Sequence, residues 1–311
     1  MKGQYKGALR TTLGQPRLWP AGLIAALALT DAWRIVAGWG PAYFGEEVSR
    51  WLWGSEGFTA WKTLYYIGIA VAVFVVLKAL GYLGEMVLVR QVAEGTERET
   101  PAFGDAFMIS RGGYLDFAVT LIPWDALLVA VIYIPALIIS IWDRWDTGYD
   151  HIFLYVAVFL LWFILLLLVL LLAGITAMLA CRSSLLEDSR PVEAWLRGWR
   201  LFRSRAGECI TAWLQAVAAD AIFIAAAWPI LALVPWMLDL VVGSMGFTPL
   251  RWLVYLTAYT ILGAGLIILR TGIQCYKSSL WTIVFLRLRM ADSGLPASDA
   301  KPPDEVRRVP E

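Results

Sequence analysis

Among the charged residues inside long apolar stretches of the sequence, six stand out: Asp31, Arg34, Lys78, Asp125, Asp220 and Arg270. A charge at the centre of a membrane-spanning helix costs about 2.5–3.5 kcal/mol on the insertion scale, so each needs a partner, water or a ligand. Two kinds of chemistry follow. Carboxylates gathered at one depth can take up a cation, a proton or an amine. Alternatively, they form buried ion pairs and side-chain-to-backbone bonds that fix helix packing. Asp31, Asp125 and Asp220 lie 14 or 15 residues beyond Arg17, Arg111 and Arg205. At 1.5 Å per residue that rise is about 21 Å, which predicts one shared depth in the outer half of the hydrocarbon. Lys78, 12 residues before Arg90, is predicted about 18 Å above the same interface. Arg34 follows Asp31 by three residues and can pair with it on one helix face. Asp125 is therefore the expected partner of Lys78. Arg270 is expected nearer the cytoplasmic side.

Positioning these groups requires helices. Of the 311 residues, 59% are hydrophobic and 16% charged, and the net charge is +1. The mean hydropathy is +0.65. A soluble domain carries roughly 45–50% apolar and about 25% charged residues, so the composition excludes an ordinary soluble enzyme and a nucleic-acid binder. A span needs about 20 apolar residues. Six stretches satisfy this: Leu18–Val36, Trp61–Val89, Tyr114–Ile141, Ile152–Cys181, Cys209–Met237 and Trp252–Tyr276. The longest run, Phe153–Ala173, lacks the period-2 alternation of a barrel strand. The expected fold class is all-α.

Lys and Arg in the short loops set the orientation. Lys2, Lys6, Arg10 and Arg17 precede the first span, and Arg90, Arg98 and Arg111 lie in the second loop. Arg182, Arg190, Arg197, Arg200, Arg203 and Arg205 lie in the fourth, with Arg287, Arg289, Lys301, Arg307 and Arg308 after the last span. The opposite loops hold only Arg50, Lys62, Arg144 and Arg251. Both termini are therefore expected in the cytoplasm, with the chain in the cytoplasmic (inner) membrane.

An internal repeat of about 94 residues runs through the chain. Arg17, Arg111 and Arg205 are 94 apart, as are Pro41, Pro135 and Pro229. The return helices are expected to end at Arg90, Arg182 and Lys277. The expected organisation is one membrane domain over residues 1–290, with units of about 1–95, 96–186 and 187–290, then a polar Pro-rich tail over 291–311. Each unit reads as a cytoplasmic surface helix followed by a helical hairpin, and two spans per unit make the repeats parallel. Thr100 before Pro101 and Ser189 before Pro191 are expected to cap the surface helices. In the third, Val192, Trp195, Leu196, Trp199 and Phe202 share a face predicted to lie on lipid. Arg197, Arg200, Arg203 and Arg205 are expected to contact anionic headgroups.

The remaining chemical candidates are weaker. Cys181, Cys209 and Cys275 lie near cytoplasmic helix ends, where thiols stay reduced, and read as small apolar residues rather than a thiolate metal site. The outer loop Asp143–His151 contains the single His but does not match the calcium-loop spacing. No phosphate loop, Ser-His-Asp set or HExxH is present. The expectation is no cofactor, no metal and no catalysis.

Four stretches carry a family likeness: Gln15–Gly22, Phe103–Phe107, Glu193–Trp199 and Tyr276–Thr282. Through them the chain resembles bacterial six-helix membrane proteins similar to the membrane domain attached to some glycerophosphodiester phosphodiesterases. The catalytic barrel of those enzymes is missing. The resemblance implies no established activity for a stand-alone member and transfers no functional residues. The expected function is a non-catalytic structural or accessory subunit of a membrane complex, its partners being the bilayer and other membrane subunits. The alternative is a small permease for an ion, amine or lipid headgroup, working through the intramembrane carboxylates.

Overall fold

Without alternation or internal Gly-Pro breaks, Phe153–Ala173 can satisfy its backbone groups only within its own segment, and it forms a helix. In the computed structural model the described residues are 2–28, 60–95, 100–143, 152–242 and 249–292. Among them every regular element is helical: α1 (Lys2–Gly14), α2 (Trp19–Ala28), α3 (Ala60–Gly95), α4 (Phe103–Ser110), α5 (Tyr114–Asp143), α6 (Ile152–Leu186), α7 (Pro191–Ser204), α8 (Ala206–Val242) and α9 (Pro249–Asp292). Asp31, Arg34, Pro41, Arg144–His151 and the tail from residue 293 lie outside the described residues.

Three helices are long and apolar enough to cross a membrane among the described residues: Val156–Leu186, Ala206–Ile230 and Leu253–Asp292. The protein is thus an all-helical chain with the character of a membrane protein. The five long helices have 30 to 44 residues, about 45–66 Å, and so exceed the roughly 30 Å of hydrocarbon.

Burial changes along each return helix. On α6, Leu160, Leu161, Ile164, Leu165 and Leu168 are exposed, whereas Ile175, Ala177, Leu179, Ala180 and Cys181 are buried. On α9, Leu253, Leu256 and Ile261 are exposed, whereas Leu280, Val284, Phe285 and Leu288 are buried. On α3, Val75, Val76 and Leu80 are exposed and Met86–Val89 are not. Apolar side chains need no protein partner where lipid can surround them. The tightest packing therefore falls in the second half of each return helix.

Those second halves run past the predicted ends. α3 continues to Gly95, α6 to Leu186 and α9 to Asp292, rather than stopping at Arg90, Arg182 and Lys277. A basic residue near a helix end does not break it, and the apolar spacing beyond Lys277 keeps α9 packed. Arg182, expected among loop charges, is fully buried. Its Nη1 donates to the Met178 carbonyl at 2.9 Å and its Nε to Thr282 Oγ1 at 3.3 Å.

Contacts divide the chain into two compact units: Met108–Gln215 with Trp281–Glu311, and Lys2–Phe107 with Ala216–Leu280. In the first, α7 packs on α6, and α5 on both. Gly198 makes the α6–α7 approach possible: a Cβ there would stand 2.8 Å from the Thr176 oxygen and 2.9 Å from the Ala180 nitrogen. In the second, α2 packs on α3.

The surface helices depart from their predicted caps and faces. The residue before α7 is Arg190, without a side-chain cap bond, and Ser189 Oγ instead lies 3.1 Å from Ser183 Oγ. Thr100 is buried three residues before α4, and its carbonyl accepts from Arg17. The predicted apolar face of α7 is split. Ala194, Gly198, Leu201 and Phe202 are buried, and Trp195 Nε1 donates to the Thr120 carbonyl, while Val192, Leu196 and Trp199 are exposed. Small residues let the backbones approach, and that contact decided which side of α7 turned inward.

A short helix, a break and a long helix follow one another in α4–α5 and α7–α8, and a similar break separates α1 from α2. The breaks are a 3-10 turn at Pro16–Leu18, another at Arg111–Gly113, and the bend at Arg205 with φ −141° and ψ 52°.

Candidate functional site

Among the described residues, two ion pairs that involve these predicted intramembrane charges converge on Asp220, at the fifteenth position of α8. Arg270 and Lys277 are seven residues apart on α9, two helical turns, so both project from one face. Arg270 Nη1 lies 2.6 Å from Asp220 Oδ1, and Lys277 Nζ lies 2.6 Å from Oδ2. Both carboxylate oxygens are engaged. The Arg270 side chain is 5% exposed, that of Lys277 21% and that of Asp220 31%.

Phe223 follows Asp220 by three residues on α8 and closes the cluster on one side. The Arg270 guanidinium carbon lies 5.3 Å from its ring centroid, within cation–π range. Phe223 packs in turn with Ala227 and Leu266, and with Leu262 and Ile273 beside them. A guanidinium held by one carboxylate and one aromatic face, with an ammonium on the other oxygen, is a clamp between two helices. Each carboxylate oxygen already has a cation 2.6 Å away.

This geometry revises one expectation: Lys277 was expected at the helix end, with Asp220 about 21 Å higher. Lys277 and Asp220 touch, so they share one level, since a lysine side chain spans far less than that rise. The reason is the continuation of α9 for fifteen residues beyond Lys277.

Lys78 on α3 and Asp125 on α5 are each half-buried, they belong to different compact units, and neither is free of partners. Asp31 and Arg34 lie outside the described residues.

A second polar centre was missed. Glu85 on α3 is buried and accepts from Gln274 Nε2 at 2.9 Å and Ser278 Oγ at 3.0 Å, two α9 residues four apart. Its signal was available: Glu85 stands seven residues after Lys78 inside the same apolar stretch. Lys277 and Phe223 were readable by the same spacing rule, had α9 not been ended early.

The four arginines expected on headgroups separate into two kinds. Arg197 belongs to a protein network, 2.7 Å from Asp292 and 3.6 Å from Glu187, with Arg289 at 3.5 Å from the other Glu187 oxygen. Arg205 pairs with Glu208 at 3.0 Å. Arg200 and Arg203 are exposed. Arg197 thus ties α7 to the end of α9 through Asp292. The three cysteines are free and buried. Among the described residues, no three His, Cys, Asp or Glu gather as metal ligands.

Comparison with known proteins gave no match, whether to a family model, to a curated sequence or to a solved structure.

Proposed function

We propose that this is a non-catalytic integral protein of the cytoplasmic membrane, a structural or accessory subunit of a membrane complex. The observation that carries the reading is the closed Asp220 cluster. A transport carboxylate must exchange its partner, whereas both oxygens of this one are spent on cations of the neighbouring helix. The lateral surface offers apolar and aromatic area to other membrane components: Trp228 and Trp236 are exposed on α8 beside Ile224, Leu233 and Leu240.

The finer architecture belongs to the same proposal: six spans, both termini cytoplasmic, three parallel hairpins, in keeping with the resemblance to the phosphodiesterase membrane domain. It is supported by the order of short helix, break and long helix in α4–α5 and α7–α8, and by Arg17, Arg111 and Arg205 each standing at a break. Topology is checked by single cysteines at Gly148 and at the exposed Ser204. An impermeant thiol reagent added outside intact cells is expected to label the first and spare the second; equal labelling of both overturns this orientation.

Function is checked by purification from membranes in mild detergent. A membrane protein co-migrating in fixed ratio is the expected result. A clean monomer that catalyses uptake in vesicles, with uptake abolished by Asp125→Asn or Asp220→Asn while the fold persists, would establish the permease instead.

A further inference from the structure

The cleft at the start of α2 carries two opposite charges that no part of the proposed function uses. It is an open concavity of about 540 Å³ lined by Arg17, Pro20, Thr100, Pro101, Ala102, Phe103 and Asp105. That size is within the usual range of about 300–1,000 Å³ for small-molecule sites. Arg17 spends Nη1 on the Thr100 carbonyl at 2.9 Å. A guanidinium has five N–H donors, so the remaining ones are available to the cleft. Asp105 is exposed in the first turn of α4, and the two charges are not ion-paired with each other. A cation and an anion held apart on one concave wall are complementary to a zwitterion.

The walls are fixed from beneath. Gln91 on α3 is fully buried, and its Nε2 donates both to the Arg17 carbonyl at 3.1 Å and to the Pro101 carbonyl at 3.0 Å. One side chain thus ties the turn before α2 to the segment before α4. Gly95 abuts the same place, where a Cβ would meet Thr100 Oγ1 at 2.9 Å. A cleft whose two sides share a buried clamp keeps its shape without the ligand, which lowers the ordering cost of binding.

We infer that this cleft binds a phosphoethanolamine-type zwitterion, with the phosphate on Arg17 and the ammonium on Asp105. Pro20 and Phe103 supply apolar surface for the carbon skeleton. The inference rests on the membrane reading above, which places Arg17 at the cytoplasmic entry of the first span, at the level of lipid headgroups. A phosphatidylethanolamine headgroup and free phosphoethanolamine share this chemistry.

Native mass spectrometry of the full chain in detergent tests it, with dihexanoyl phosphatidylethanolamine, dihexanoyl phosphatidylglycerol and free phosphoethanolamine as probes. Expected is one saturable site preferring the ethanolamine lipid over the glycerol lipid by about tenfold. Binding of free phosphoethanolamine as tight as the lipid would identify a soluble ligand, and markedly weaker binding would identify the lipid; either supports the site. Asp105→Asn, an exposed change that leaves the fold alone, is expected to abolish the preference while glycerol-lipid binding stays or rises. Arg17→Gln is expected to weaken both lipids by about tenfold, with helicity by circular dichroism as its folding control. Equal affinity for the two lipids, or a preference unchanged in Asp105→Asn, overturns the inference. Neither variant touches the lateral surface of α8, so loss of a co-migrating partner and loss of headgroup preference are separate outcomes.

Discussion

Asp220→Asn is expected to lower the stability of the detergent-purified protein by about 3 kcal/mol, because it strands the Arg270 and Lys277 charges on a partly buried helix face. Removing one member of a buried pair typically costs about 3–5 kcal/mol; the lower end applies here because the carboxylate is 31% exposed. Arg270→Met in the Asp220→Asn background is expected to recover much of the loss, since the more buried cation carries most of the penalty. Lys277→Met alone should cost less, about 1 kcal/mol, because Arg270 still holds the carboxylate. Thermal unfolding followed by the fluorescence of the 17 Trp residues provides the measurement. Unchanged stability in Asp220→Asn, with altered uptake, would move Asp220 from packing to transport.

Gly84→Leu is expected to prevent α2 from docking on α3 and to leave little folded protein. A Cβ at Gly84 would overlap the Ala25 nitrogen and stand 2.8 Å from the Ala21 oxygen and 2.9 Å from the Ala25 Cα. All three are backbone atoms, so no rotamer change relieves the clash. Gly84→Ala should already cost about 1–3 kcal/mol as overpacking. Gly104→Ala is the control, since a Cβ there meets nothing within 4 Å. Folded yield and melting temperature of the three variants decide the matter. A well-folded Gly84→Leu protein would mean that α2 and α3 do not meet as described. The pattern joins Gly84 to Ala21 and Ala25, four apart on α2, as small residues that allow close backbone approach without lipid between.

The elements were legible because hydrophobic length and periodicity are local properties. Apolar runs of about 20 residues must close their own hydrogen bonds in hydrocarbon, so α6, α8 and α9 follow from composition alone. The 3-10 turns came from the structure, which places one at Pro16–Leu18 and one at Arg111–Gly113. Helix ends were not legible. Arg182 and Lys277 carry the chemistry of a cytoplasmic boundary, and only long-range partners keep them inside their helices: Thr282 lies 100 residues from Arg182, and Asp220 lies 57 from Lys277.

By itself the sequence determined a helical chain of membrane-protein character, and it singled out Asp220 and Arg270 as charges within apolar stretches that need partners. Tertiary structure alone decided which partners they found. It gave Asp220 two cations, turned the small-residue side of α7 inward, and drew Arg197 into a network with Glu187 and Asp292. The physical reason is range. Hydrophobic burial and backbone hydrogen bonding act on each segment as it stands, whereas an ion pair requires two segments to meet at one depth. That depth depends on where each helix stops, which is set by contacts made with residues far away in the chain.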